Sequence, residues 1–121
     1  SRGGFECKDV TLSINCPAEN YDIVLANGFL HHLSDIEVIG LCNAAKDFMK
    51  SNGRFVSLDG CWVPRQSFLC RKLLGMDRGK FVRTPEQYVA LANQVFPNVK
   101  SFIYERLLKI PYNHIVMECS L

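Results

Sequence analysis

Tyr21-Asp22-Ile23-Val24-Leu25-Ala26-Asn27-Gly28-Phe29-Leu30-His31-His32-Leu33 is the stretch on which the reading of the whole chain turns. Residues 23–26 are apolar without alternation, so both faces of the pleat call for cover, as in a parallel strand held between two layers of helix. The run passes straight into Asn27-Gly28, where a residue without a Cβ permits a sharp turn or a close approach of the backbone to a ligand. The expectation is a buried interior strand whose carboxyl end delivers Asn27 and Gly28 to a crevice, the place where open α/β sheets bind their ligands.

Downstream, Ser34-Asp35-Ile36-Glu37 has the form of a capping box, in which Ser34 accepts from the Glu37 N–H and the Glu37 side chain reaches back. Val38, Leu41, Cys42, Ala45, Phe48 and Met49 then recur at helical steps, and Asn52-Gly53 supplies a stop. Arg54-Phe55-Val56-Ser57-Leu58 reads as a second strand ending at Asp59-Gly60, which completes a βαβ unit with a right-handed crossover. Thr84-Pro85-Glu86-Gln87 announces another helix, with Tyr88, Leu91, Ala92 and Val95 as its buried face. Residues 99–107 and 112–119 are strand-like runs joined by too short a link for a crossover, so they form an antiparallel pair. Before the central run, Phe5-Glu6-Cys7-Lys8-Asp9-Val10 reads as a short strand followed by a loop through Pro17. Residues 62–83 read as an insertion, in which Pro64 opens a short helix that Asp77-Arg78-Gly79-Lys80 breaks.

The chain has 121 residues, 48% hydrophobic and 21% charged, which is the material of one domain spanning 1–121. Fourteen Lys and Arg against 12 Asp and Glu leave a formal charge of +2 without runs of one sign, so the sequence carries no nucleic-acid footprint. No apolar run approaches the roughly 18 residues of a membrane span. The six cysteines show no CxxC pair and several fall on apolar periodic segments, which favours reduced core thiols and a cytoplasmic setting over a disulfide framework.

The run 21–33, followed by Met49-Lys50-Ser51-Asn52-Gly53-Arg54-Phe55, resembles the fourth to fifth strands of class I S-adenosylmethionine-dependent methyltransferases. Leu58-Asp59-Gly60-Cys61-Trp62-Val63-Pro64 and Asp77-Arg78-Gly79-Lys80-Phe81-Val82-Arg83-Thr84-Pro85 are similar to a bacterial small-molecule subgroup of that family. The resemblance implies an α/β fold: the C-terminal portion of a Rossmann-like sheet, parallel strands closed by an antiparallel pair, in the family order 3-2-1-4-5-7-6. It covers the chain from about Phe5 to Cys119, yet the family's Gly-rich cofactor turn and the acidic residue for the ribose have no counterpart here.

Methyl transfer from a sulfonium needs positioning above all, with a base where the acceptor must lose a proton. By resemblance, Asp9 and the Val10 N–H would meet the adenine, Asn27, Gly28 and His32 would lie along the cofactor, and His31 would face the acceptor as a base. Asp59, Trp62 and Tyr112 would shape the acceptor pocket. Each has a plainer alternative: a solvated strand-end Asp, a turn Gly, a core or capping His, a structural aromatic. Adjacent histidines seldom chelate one ion and no third ligand stands nearby, so no metal is expected. Lys80, Arg83 and Arg78 could favour an acidic acceptor or simply form a solvated surface.

The resemblance thus implies methyl transfer to a small-molecule acceptor in a parent enzyme, with this chain binding S-adenosylmethionine weakly or not at all alone. The edge of the 21–26 strand would lack its usual neighbour, and a bare apolar edge recruits another chain, as a homodimer or strand swap. A non-catalytic association module is the alternative from a different class.

Overall fold

The computed structural model describes residues 21–63, 68–69, 72, 81–105 and 113–121. The expected strand at 5–10, most of the 62–83 insertion, and the candidate site residues Asp9, Val10 and Tyr112 lie outside them. The described elements are β1 (Tyr21–Asn27), a 3-10 turn (Leu30–His32), α1 (Asp35–Phe48), β2 (Met49–Gly60), α2 (Pro85–Asn93), β3 (Asn98–Tyr104) and β4 (His114–Ser120).

The strands form a sheet in the order β1-β2-β4-β3. β1 and β2 are parallel, with Val24 opposite Phe55 and Ala26 opposite Ser57. β4 lies antiparallel to both β2 and β3. This is the order 4-5-7-6 that the resemblance implied, with the last strand inserted ahead of the one before it.

Both helices begin as the sequence dictates. Ser34 accepts from the Glu37 N–H and Glu37 returns to the Ser34 N–H, and Thr84 and Gln87 repeat the arrangement with Pro85 in the first turn. The end of α1 departs from expectation. The helix stops at Phe48, and Met49, expected on its apolar stripe, is instead the first residue of a strand that runs to Gly60. Pairing decides this: Met49 sits opposite Tyr21, and the register then slips before Ile23 meets Arg54. Gly53 serves that irregularity rather than capping the helix. A Cβ there would stand 3.0 Å from the carbonyl oxygens of both Lys50 and Tyr21 and 3.2 Å from that of Asp22. These are backbone atoms that cannot swing aside, so Gly53→Ala should destabilise the fold by about 1–3 kcal/mol. Thermal unfolding checks this, and an unchanged melting temperature would show that the strand start can relax.

The two helices share one face of the sheet. Phe55, Ile115, Met117 and Cys119 are buried there with Val38, Cys42 and Ala45 of α1 and Tyr88, Leu91 and Ala92 of α2. Phe55 stacks on Phe96 with ring centroids 5.7 Å apart. The registers place Ile23, Leu25, Val56, Leu58, Val116, Phe102 and Tyr104 together on the opposite face. Ile23 and Leu25 are each 65% exposed. β1 is therefore not the doubly covered interior strand expected from its composition: among the described residues it is the sheet's edge, covered by helix on one side only. Its apolar pattern is written for two layers, and the described elements provide one. Among the described residues no helix is long and apolar enough to cross a membrane.

The described thiols match the expected burial. Cys42, Cys61 and Cys119 are all buried. Burial pushes the Cys42 thiol from its ordinary 9.0 to about 12. Cys119 also rises to about 12, through burial first and then the proximity of Cys42 and Glu118. A group that stays protonated longer in the folded state binds more protons there than in the unfolded chain, so stability is intact below about pH 9 and falls as pH rises towards 12. Urea unfolding at about pH 8 and about pH 10.5 should show the decline, and replacing both cysteines by alanine should reduce its slope.

Candidate functional site

The carboxyl ends of β1 and β2 lie side by side, and the site is built from the turns into which the two strands run. Gly28 takes φ +63°, the left-handed region that favours glycine, and its N–H donates to the Leu58 carbonyl at 2.7 Å. A Cβ at Gly28 would have nothing within 4 Å, so conformation rather than crowding selects glycine here, and the space beside it is open. The bond ties the turn after β1 to the end of β2. Asn27, at the strand tip, is exposed.

The 3-10 turn then carries His31 over the end of β2. The Asp59 carboxylate accepts from the His31 backbone N–H at 3.2 Å and lies 2.8 Å from His31 Nδ1. The Asp59 side chain is fully buried while that of His31 keeps 9% of its surface accessible, so the imidazole reaches outward from a carboxylate that does not. With Nδ1–H donating to Asp59, the lone pair falls on Nε2, the nitrogen that can accept a proton. The other carboxylate oxygen, Oδ2, and the neighbouring Ser57 hydroxyl are buried without a hydrogen-bond partner among the described residues.

His32, adjacent in sequence, is exposed, with its ring centroid 4.2 Å from that of His31. The two histidines thus have different surroundings, and among the described residues no cluster of His, Cys, Asp or Glu could hold a metal ion. Trp62 is half-buried, its N–H bonded to the Arg83 carbonyl at 3.0 Å. The site therefore brings together Asn27, Gly28, His31, His32 and Asp59 of the residues expected from the sequence, and joins Trp62 to them through Arg83.

Two builders of the site carry no readable sign of that role, although Tyr88 is expected on a buried helix face. Tyr88 donates to the Gly60 carbonyl at 2.9 Å and accepts from the Arg83 N–H at 3.4 Å, anchoring α2 to the end of β2. Its hydroxyl is pushed well above the usual tyrosine range, by burial first and then by the Asp59 carboxylate. Arg83, expected on a solvated surface or towards an acidic acceptor, is buried and makes its bonds inward. Nothing in its sequence neighbours distinguishes it from a surface arginine.

A separate apolar cleft of about 350 Å³ runs along β1 on the helix side, lined by Val24, Ala26, Phe29, Leu41, Phe48 and Phe55 and reaching Asn27. It meets the site at the β1 tip and does not include the His31–Asp59 pair.

No protein-family model matches the chain, and no curated protein matches it by sequence. Solved structures do match. Human N-acetylserotonin methyltransferase (ASMT) in complex with SAM is similar with a TM-score of 0.67 and 18% identity, over 97% of this chain and 34% of that one. The mitomycin 7-O-methyltransferase MmcR gives 0.69 and 18%, over 94% and 33%. A structure described as a pericyclic reaction enzyme gives 0.68 and 13%, over 94% and 29%. The chain spans about a third of the length of these solved proteins. At such identities the likeness speaks for architecture alone, and what it establishes is that the sheet and its helices have the fold of SAM-dependent methyltransferases.

Proposed function

We propose that the chain forms the acceptor side of an S-adenosylmethionine-dependent methyltransferase acting on a hydroxyl of a small molecule, with His31 as the base and Asp59 as the group that orients it. The observation that carries this is the buried contact of Asp59 with both the backbone N–H and Nδ1 of His31, at the strand ends where α/β sheets bind ligands. S-adenosylmethionine, when bound, would supply an electrophilic methyl group, its S–CH₃ bond breaking to leave the neutral thioether S-adenosylhomocysteine. His31 accepts the acceptor's hydroxyl proton at Nε2 as the oxygen attacks, and Asp59 stabilises the imidazolium that results. The residues present fit part of the cofactor: the exposed Asn27, the apolar cleft that reaches it and the open backbone at Gly28 are suited to one side of an adenosyl group. The Gly-rich turn and the ribose-binding carboxylate are not contributed by this chain, so affinity for the isolated chain is low.

Amide NMR of the chain with S-adenosylhomocysteine at about millimolar concentration tests the reading. Shifts at Asn27, Gly28 and the cleft residues Val24, Ala26 and Phe29 are expected; a spectrum unmoved at these positions would sink it.

A second reading, an association module, is favoured by the exposed apolar residues Ile23, Leu25 and Phe102, which share the face opposite both helices. In that case two copies meet through this face or through the β1 edge as a homodimer or strand swap. Sedimentation should then show a concentration-dependent dimer that Leu25→Glu dissociates, and a monomer at all concentrations would reject it.

A further inference from the structure

The guanidinium of Arg83 reaches both sides of His31. Its Nη1 donates to the Leu30 carbonyl at 3.1 Å and to that of Phe81 at 3.1 Å, and its Nη2 donates to the Leu33 carbonyl at 2.7 Å. Between Leu30 and Leu33, the carbonyl of His31 itself accepts from the Phe81 N–H at 2.9 Å. Three carbonyls of one short turn are thus held from the 81–83 segment, one of them belonging to the histidine. Asp35, the first residue of α1, accepts from Nη2 at 2.7 Å and from Nε at 3.0 Å and balances the charge. The arginine side chain is 7% exposed, Asp35 69%.

The main chain of Arg83 is fixed independently. Its N–H donates to the Tyr88 hydroxyl, its carbonyl accepts from the Trp62 N–H, and it forms an isolated bridge with Cys61. The fork is therefore mounted on the continuation of the strand that carries Asp59, and it grips the turn that carries His31. The two partners lie 28 positions apart in sequence. A 3-10 turn of three residues has little rigidity of its own, and its hydrogen bonds are poorer than those of an α-helix. Rigidity has to come from outside, and Asp59 supplies part of it.

We propose that Arg83 is a positioning residue for His31: by bonding the carbonyls of Leu30 and Leu33 it fixes the turn at the height and rotation that keep Nδ1 on Asp59. Its functional consequence rests on the reading of His31 as a base, whereas its geometric content does not. Lysine is no substitute. An ammonium is a single point with three donors, and it cannot span two carbonyls and a carboxylate with the planar fork of an arginine.

The test is the tautomeric state of the His31 ring, read from its nitrogen chemical shifts in the native chain and in R83K, R83M and D35N, with the amide spectrum as a check on folding. The native ring should hold Nδ1 protonated. In R83K the amides of α2, β3 and β4 stay in place while the His31 nitrogen shifts move away from the native Nδ1-protonated form, and R83M shows the same wherever it folds. D35N removes the carboxylate but leaves the carbonyl grip, so its His31 signals stay native. A native tautomer in R83K, or equal loss in D35N, would overturn the proposal. Loss of the tautomer in R83K with undiminished methyl transfer would instead reject His31 as the base and leave the positioning role standing.

Discussion

With His31 as the proposed base, Asn in place of Asp59 should lower the rate of methyl transfer by about 10²–10⁴-fold and change the melting temperature little. The two side chains have nearly one shape, so the buried site still fills. What changes is charge. An amide whose oxygen takes the place of Oδ1 still accepts from the His31 N–H and from Nδ1–H, but it carries no charge with which to stabilise an imidazolium. Asp59 Oδ2 has no hydrogen-bond partner among the described residues, so replacing that oxygen leaves a polar atom in the same condition as before. Single-turnover rates, measured on the polypeptide that supports activity, carry the result. A rate within about threefold of the native one would mean that proton removal is not part of the limiting barrier, since a factor of ten corresponds to about 1.4 kcal/mol.

Phe55→Ala acts on the fold rather than the chemistry. Phe55 is fully buried, stacks on Phe96 and stands between Val24 of β1 and Cys119 of β4 in the sheet. Truncation there removes the ring's transfer energy and opens a cavity beside the cleft already present along β1, so a loss of about 3–5 kcal/mol is expected. Against a total stability of about 5–15 kcal/mol this is a large fraction, visible as a fall in melting temperature of about 10 °C or more. Phe102→Ala is the control. Phe102 is 46% exposed on the face opposite both helices, and its truncation should cost about 1 kcal/mol or less. Equal effects at the two positions would mean that this face is buried in solution.

Much of the architecture is legible in the residues because it depends on local patterns. The capping boxes at Ser34 and Thr84 start both helices where the residues say they should, and the short link before β4 forces an antiparallel neighbour. The end of α1 is not legible in this way. Met49 continues the helical stripe in sequence, yet its pairing with Tyr21 takes it into β2, and only the partner strand reveals this. Gly53 stands out as a special residue but not for its reason, which is the crowding of three backbone oxygens around its Cα. The site divides the same way. Asn27 and Gly28 are explained by a strand that ends in a turn, and His31 by the family pattern around it. That Asp59 bonds His31 is explained by neither, because the contact is made across two parallel strands whose alignment no local rule supplies. Arg83 misleads for the opposite reason: an arginine beside a helix start looks solvated until the turn it grips is known.

The place of β4 between β2 and β3 has a bearing on how the molecule is made. On a ribosome, β1, α1 and β2 can begin to associate as they emerge, since a parallel pair with its crossover helix is contiguous in sequence. β3 emerges after α2 and finds no seat, because the position beside β2 belongs to a segment that has not yet emerged. The sheet can be joined only when the stretch from His114 to Ser120 arrives and zips to both neighbours at once. Until then Phe55 and the end of β2 have an open flank, which makes nascent chains the stage most vulnerable to mispairing and gives residues 114–120 a governing influence over yield.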